Sequence, residues 1–405
     1  MKKIDTLLKK IICDLEEKGT SKGHESVITG IIHGKGGSGP RYLLKGYDHT
    51  TFIKMNSNSY LALSRHPEVI KAEEEAALLF GSGPGAVRFI SGTHSAHISL
   101  EKKLADFHSR PSAMIFSSAY VTSMGVIYPL ITPETIVISD ALNHNCIINA
   151  IRLSRPAEKF IYRHNDMNNL EEQLKNSINK GKRVLVITDG IFSMRGDSAP
   201  LKELTSLCKT YDDNFEEGVI SIVDDSHGVG AFGETGRGTE EHEDTQADIL
   251  IGTLGKAFGV NGGYVASSET LIRYLRETAP MYIYSNPVTV PEAAASEKAV
   301  SIVDSDEGLN ILKNLRARTK QFEQGLIRAG YETIQGPHPI VPLMVRNTDS
   351  TKKLTQWLME NGVMATGLNY PVVPEGDEEI RFQISAEHTE QDIFRVLSIL
   401  RNFKG

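Results

Sequence analysis

The chain has 405 residues, 40% of them hydrophobic and 23% charged, with a formal net charge of −7. That length exceeds what one hydrophobic core usually holds, so two domains, or a large domain with a smaller one appended, are expected. The negative charge and the lack of a basic block argue against nucleic-acid binding, and no apolar run reaches membrane-spanning length.

At the N-terminus Ile4, Leu7, Leu8, Ile11, Ile12 and Leu15 recur at helical spacing. This predicts an amphipathic helix that docks on its own protein or on a dimer partner. Lys2 and Lys3 precede it, but the apolar core and cleavage site of a signal peptide do not follow. Cys13, Cys146 and Cys208 are widely separated and odd in number. They form neither a disulfide framework nor a metal-ligand pattern, and a reducing cytoplasmic setting is expected.

Residues 20–50 are rich in glycine and polar residues. Gly34 to Gly39 satisfies G-x-G-x-x-G, but Pro40 follows where a dinucleotide fold would begin a helix. A loop is therefore expected there. A short strand leading into a turn is predicted over 52–63 and a helix over 67–79. The glycine-rich stretch Gly81-Ser82-Gly83-Pro84-Gly85 must be a loop. The chain then passes Arg88, Gly92-Thr93 and His97 into a helix over 100–107.

Beyond this point short β-branched runs at 113–116, 135–138, 159–162, 184–188, 219–223 and 249–252 alternate with helical patterns such as 169–179 and 201–211. Fully apolar strands between amphipathic helices indicate an α/β fold with a mainly parallel sheet covered on both faces. Helices over 291–303 and 308–329, strands near 340–345 and 379–385, and a last helix over 390–402 read as a smaller α+β domain. The expected organisation is an N-terminal helix and loop segment (1–50), a large α/β domain (51–290) and a C-terminal α+β domain (291–405).

In such sheets ligands bind beyond the carboxyl ends of the strands. Asp224 follows the run 219–223, Lys256 follows 249–252, Ser193 follows 184–188, and Ser118 follows 113–116. Lys256 stands in Thr253-Leu254-Gly255-Lys256-Ala257-Phe258-Gly259, a small-residue setting that a hydrated ammonium seldom occupies without a partner. A Schiff base to pyridoxal phosphate (PLP) explains it, with Asp224 holding the pyridinium nitrogen. Read one at a time, Lys256 could equally be a surface lysine in a strand–helix turn, and Asp224 a helix cap.

Ordered motifs decide between these readings. They are Asn58-Ser59-Tyr60-Leu61-Ala62-Leu63, Gly83 through Arg88 to His97, Asp140-Ala141-Leu142-Asn143-His144, and Thr188-Asp189-Gly190-Ile191-Phe192-Ser193-Met194. Val223-Asp224-Asp225-Ser226-His227-Gly228, the Lys256 turn, Tyr370-Pro371-Val372-Val373-Pro374 and Ile380-Arg381 complete the series. Over about residues 50–400 the chain resembles the α-oxoamine synthases, enzymes of the aminotransferase-like fold type I PLP superfamily. Within that family, its motifs look most like the 2-amino-3-ketobutyrate CoA ligase (glycine C-acetyltransferase) branch.

The resemblance implies roles. Lys256 would tether the cofactor and then act as the base that removes the substrate α-proton. Asp224 would pair with the pyridine nitrogen, His227 would bond the ring hydroxyl oxygen, and His144 would stack on the ring. Ser118, with the backbone of Ala119 and Tyr120, would bind the phosphate at a helix N-terminus. Thr253, and Ser285 and Asn286 from a neighbouring subunit, would add phosphate contacts, and Ser193 would touch ring or substrate. Arg381 would grip the amino-acid carboxylate, with Asn58 near it. Val87, stiff at Cβ, would favour a small amino acid beside the α-carbon.

The implied reaction is a Claisen-type condensation of glycine, or another small amino acid, with an acyl-CoA thioester, acetyl-CoA being the default donor. The implied assembly is a homodimer with shared active sites. An alternative within the family joins alanine or serine to a longer acyl-CoA or acyl carrier protein with decarboxylation. A fold type I aldolase or aminotransferase, and a non-catalytic binding protein on the same fold, are the readings outside it. Four departures from the family pattern concern the surroundings of the site. Asn145-Cys146 replaces two small residues, Ser123 replaces Asn, and Pro287 replaces Ser or Ala. A glycine-rich insertion at 30–40 borders the thioester entrance.

Overall fold

A computed structural model describes residues 2–17, 21, 23, 25–370 and 372–404. Helix α1 (Lys2–Glu17) is amphipathic as expected, yet none of its residues is buried in this chain. The glycine-rich stretch joins strands β1 (Ile28–Ile32) and β2 (Arg41–Leu44) into an antiparallel hairpin that continues into β3 (Thr51–Lys54). Its glycines serve close packing. Gly39 N donates to Asp392 Oδ2 at 2.9 Å, and a Cβ there would stand 2.4 Å from the Glu387 carbonyl. Arg41 pairs with the other Asp392 oxygen at 2.6 Å.

Helices α2 (Pro67–Phe80) and α3 (Ser95–Phe107) bracket the segment around Arg88. Then follow β4 (Ser112–Phe116), α4 (Ala119–Leu130), β5 (Thr135–Asp140), α5 (Asn145–Leu153), β6 (Glu158–Tyr162), β7 (Arg183–Asp189), β8 (Val219–Asp224), β9 (Ile249–Thr253) and β10 (Gly263–Ser267). These strands form a seven-stranded sheet in the order β4-β10-β9-β8-β7-β5-β6. Only β10 runs antiparallel to its neighbours. The sequence reading has no strand at β10; its run Gly263-Tyr264-Val265-Ala266-Ser267 carries a glycine and an alanine and is only weakly β-branched. Both faces of the sheet are covered by buried apolar side chains, as parallel strands require.

The remaining strands, β11 (Glu332–Thr333), β12 (Ile340–Met344), β13 (Val363–Met364), β14 (Thr366–Leu368) and β15 (Glu379–Gln383), lie in two further sheets. One has the order β1-β2-β3-β13, the other β11-β12-β15-β14. The parallel pair β3–β13 ties the N-terminal hairpin to the C-terminal region. Among the described residues no helix is long and apolar enough to cross a membrane.

Candidate active site

Asp189 and Asp224 end β7 and β8 and face each other in register, while Asp224 pairs on its other side with Ile251 of β9. Parallel alignment thus gathers residues far apart in sequence at one sheet edge. A small cavity of about 50 Å³ opens there, lined by Ala119, Tyr120, His144, Asp189, Asp224, His227 and Lys256 among others.

Lys256 sits in a tight turn after β9. Leu254 N donates to Gly262 O at 2.9 Å, Gly259 N to Lys256 O at 3.0 Å, and Val260 N to Leu254 O at 3.0 Å. Gly259 has φ +76°, and a Cβ on it would lie 2.4 Å from Ser64 N, so only glycine closes this turn. Burial pulls the Lys256 amine down to about 8, against the opposing charges of Asp224 and Asp189. A lysine near that value is a competent nucleophile and base around neutral pH.

Asp224 is held from both sides. Oδ1 accepts from Ser226 Oγ at 2.6 Å and from Ser226 N at 3.2 Å. Oδ2 accepts from Ser123 Oγ at 2.8 Å and from Cys146 Sγ at 3.6 Å. Burial, then Asp224 itself, pushes the Cys146 thiol up, so the sulfur keeps its proton and can donate. Asp189 accepts from His144 N at 2.9 Å, and burial followed by the neighbouring Asp224 raises its carboxyl well above the usual range.

His227 Nδ1 shares a 2.8 Å hydrogen bond with the hydroxyl of Tyr60, which is fully buried. Burial and then Lys256 keep this imidazole neutral, holding it well below 6.5. His144 caps α5, its Nδ1 accepting from Cys146 N at 3.3 Å. Burial lowers it as well, so its remaining ring nitrogen carries the proton. Ser118 caps α4, accepting from Val121 N at 3.2 Å, and leaves the first N–H groups of that helix, at Ala119 and Tyr120, at the cavity. Gly263 permits this approach, because a Cβ there would stand 2.5 Å from Ala119 N.

Ser193 also lines the cavity, and the other expected residues lie around or away from it. Thr253 Oγ1 donates to Gly262 O and accepts from Gly255 N, each at 3.2 Å, so it braces the lysine turn and does not line the cavity. Arg381 donates to Ser193 O at 2.9 Å, and its buried Nε has no partner among the described residues. Asn58 Oδ1 lies 3.4 Å from the Tyr60 hydroxyl. Val87, Ser285 and Asn286 are not among the lining residues of this chain's cavity. Arg88 and His97 are structural: Arg88 pairs with Glu101 at 3.1 Å, and His97 bonds Val288 O at 2.9 Å. Pro371 lies outside the described residues.

Tyr60, Ser123, Cys146, Asp189 and Ser226 are site residues beyond those expected from the sequence. Only Asp189 carried a readable signal, since it ends its strand as Asp224 ends the next.

Residues 50–400 match the family model of aminotransferase class I and II. The chain is 39% identical to 8-amino-7-oxononanoate synthase 1 of Bacillus velezensis over 90% of each sequence. It is 40% identical to the human mitochondrial 2-amino-3-ketobutyrate coenzyme A ligase over 84% of this chain and 79% of that one. Among solved structures, a serine palmitoyltransferase from S. paucimobilis with PLP and myriocin bound superposes with a TM-score of 0.87 at 26% identity, covering 99% of this chain and 97% of that one. The chain therefore belongs to the aminotransferase class I and II family, has its fold, and falls with the acyltransferases known as α-oxoamine synthases.

Proposed function

We propose that the chain is a PLP-dependent C-acyltransferase that condenses glycine with an acyl-CoA thioester. The observation carrying this is the convergence of Lys256, Asp224, His227 and His144 on one cavity at the sheet edge. The donor set suits the cofactor: an amine near 8, a carboxylate held by hydroxyls, a neutral imidazole, and a helix N-terminus ready for a phosphate. Bound there, PLP would draw electrons from the α-carbon of an amino acid and make its proton removable. Lys256 holds the cofactor, then takes that proton. Asp224 would keep the ring nitrogen protonated, and His227, held by Tyr60, would donate to the ring oxygen. Arg381, whose buried Nε is unpartnered among the described residues, would bind the substrate carboxylate, with Asn58 beside it, and Ser193 would lie at the substrate edge.

In the condensation a C–C bond forms from the α-carbon to the thioester carbonyl carbon, the C–S bond breaks, and the thiol leaves with a proton. The alternative of alanine or serine with a longer acyl-CoA or acyl carrier protein, followed by decarboxylation, is favoured by the similarity to 8-amino-7-oxononanoate synthases. Exposed Phe89, Ile90 and Tyr284 support a homodimer. In it Val87, Ser285 and Asn286 would reach the neighbouring cavity, and α1 would find its cover. Free Cys13, Cys146 and Cys208 fit a cytoplasmic protein.

Thiol release should be measured with glycine, alanine and serine across CoA and carrier-protein thioesters. Glycine-dependent release that is lost in Lys256→Ala, together with the borohydride-reducible cofactor colour, is the expected result. Retained colour that borohydride still fixes to the protein in Lys256→Ala sinks the assignment.

A further inference from the structure

A second cavity, of about 220 Å³, lies beside the first, and Ser193 lines both. Its walls are mainly apolar, including Leu142, Phe192, Met194, Met344 and Val373. An acetyl group would leave such a space empty. Within the lining is Glu379 on β15, only 2% exposed, whose Oε1 has no hydrogen-bond partner among the described residues. A buried carboxyl without a partner costs stability, and a ligand group that supplies the missing bond recovers it.

The charged groups around Glu379 come from every neighbouring element. Arg195 lines the cavity and is turned to Asp197 at 3.1 Å; Asp377 lines it and is paired with Arg346. Arg381 lies two residues on along β15. Burial pushes the Glu379 carboxyl up to about 8, against the pull of Arg381, Arg195 and Arg346 and with Asp377 adding to the rise. At neutral pH it is therefore an uncharged acid that can donate as well as accept. Among the described residues Arg195 and Arg346 both hold acidic partners, and Arg381 donates to Ser193 O.

We infer that this cavity receives the acyl chain of the thioester, and that Glu379 selects medium-length chains carrying an uncharged hydrogen-bonding group over acetyl and over carboxylate-ended chains. The inference rests on the acyltransferase reading and narrows its donor from the acetyl default.

The test compares kcat/KM of the holoenzyme for acetyl-, octanoyl-, hydroxyoctanoyl- and ω-carboxyoctanoyl-CoA with glycine and with alanine. Wild type should prefer both uncharged eight-carbon chains to acetyl, and the hydroxy chain to the plain one by about fivefold, the worth of one neutral hydrogen bond. The hydroxy-to-plain ratio should hold below pH 8 and rise above it as Glu379 ionises, because a hydroxyl donates more strongly to a carboxylate than to a neutral carboxyl. Taking a ratio cancels the titration of Lys256. Glu379→Gln should keep the preference and remove its pH dependence, Glu379→Leu should abolish the preference, and Met194→Trp should lower eight-carbon turnover selectively. A preference for acetyl or for the carboxylate-ended chain, or a hydroxy-to-plain ratio unchanged in Glu379→Leu, overturns the inference. So does an eight-carbon-to-acetyl ratio unchanged in folded Met194→Trp. Thiol release from none of the thioesters would instead overturn the acyltransferase reading itself.

Discussion

At the scale of single residues, Asp224 keeps its carboxylate aimed into the cavity because Ser226 holds one oxygen while Ser123 and Cys146 hold the other. Hydrogen bonds to charged groups contribute about 1.5–3 kcal/mol, so Ser123→Ala should weaken PLP binding roughly tenfold or more, read by fluorescence titration of the apoprotein. An unchanged dissociation constant would mean that Ser226 and Cys146 suffice. Lys256 gives a pH-dependent counterpart. Its folded pKa, about 8, lies below the 10.5 of an exposed lysine. Between those values the unfolded chain binds the extra proton, so stability rises with pH across that window, and below 8 the buried ammonium destabilises the apoprotein. Lys256→Met should therefore stabilise the apoprotein at pH 7 by roughly 3–4 kcal/mol, at 1.36 kcal/mol per pKa unit, and the gain should shrink by pH 9.5. Urea melts at both pH values check the sign.

At the scale of elements, turns and caps position the chemistry. The lysine turn closes only because Gly259 adopts φ +76° against the backbone of Ser64. Gly259→Ala combines a left-handed backbone with a close contact, so a loss of more than about 1 kcal/mol is expected, with a shift in the cofactor absorbance as Lys256 moves. Thermal melts and spectra of the holoenzyme would reveal it. These elements were largely legible. The run 219–223 and the observed Val219–Asp224 nearly coincide, as do 201–211 and Leu201–Tyr211. Strong β-branched runs and helical periodicity depend on nearest neighbours, which a sequence displays. The strands of the N-terminal hairpin were hidden, because β1 is exposed on most residues and its pattern carries no core face.

At the scale of the whole molecule, exposed apolar residues and distant site residues point the same way. Phe89 and Ile90 are 67% and 68% exposed in this chain, unusual for a folded monomer's adjacent pair. Ile90→Asp should halve the mass seen by sedimentation and lower cofactor affinity together, whereas a monomeric wild type would refute the shared site.

The sequence by itself determined the alternation of strands and helices, the strand-end positions of Asp224, Lys256, Ser193 and Ser118, and the family that those motifs mark. These follow from local pattern and from residue types at fixed spacing. Only the tertiary structure decided what surrounds them. Ser123 reaches Asp224 across 101 residues, Tyr60 reaches His227 across 167, and Glu379 meets a cavity built from distant segments. Such contacts depend on sheet order and register, and those are fixed by the packing of the whole chain.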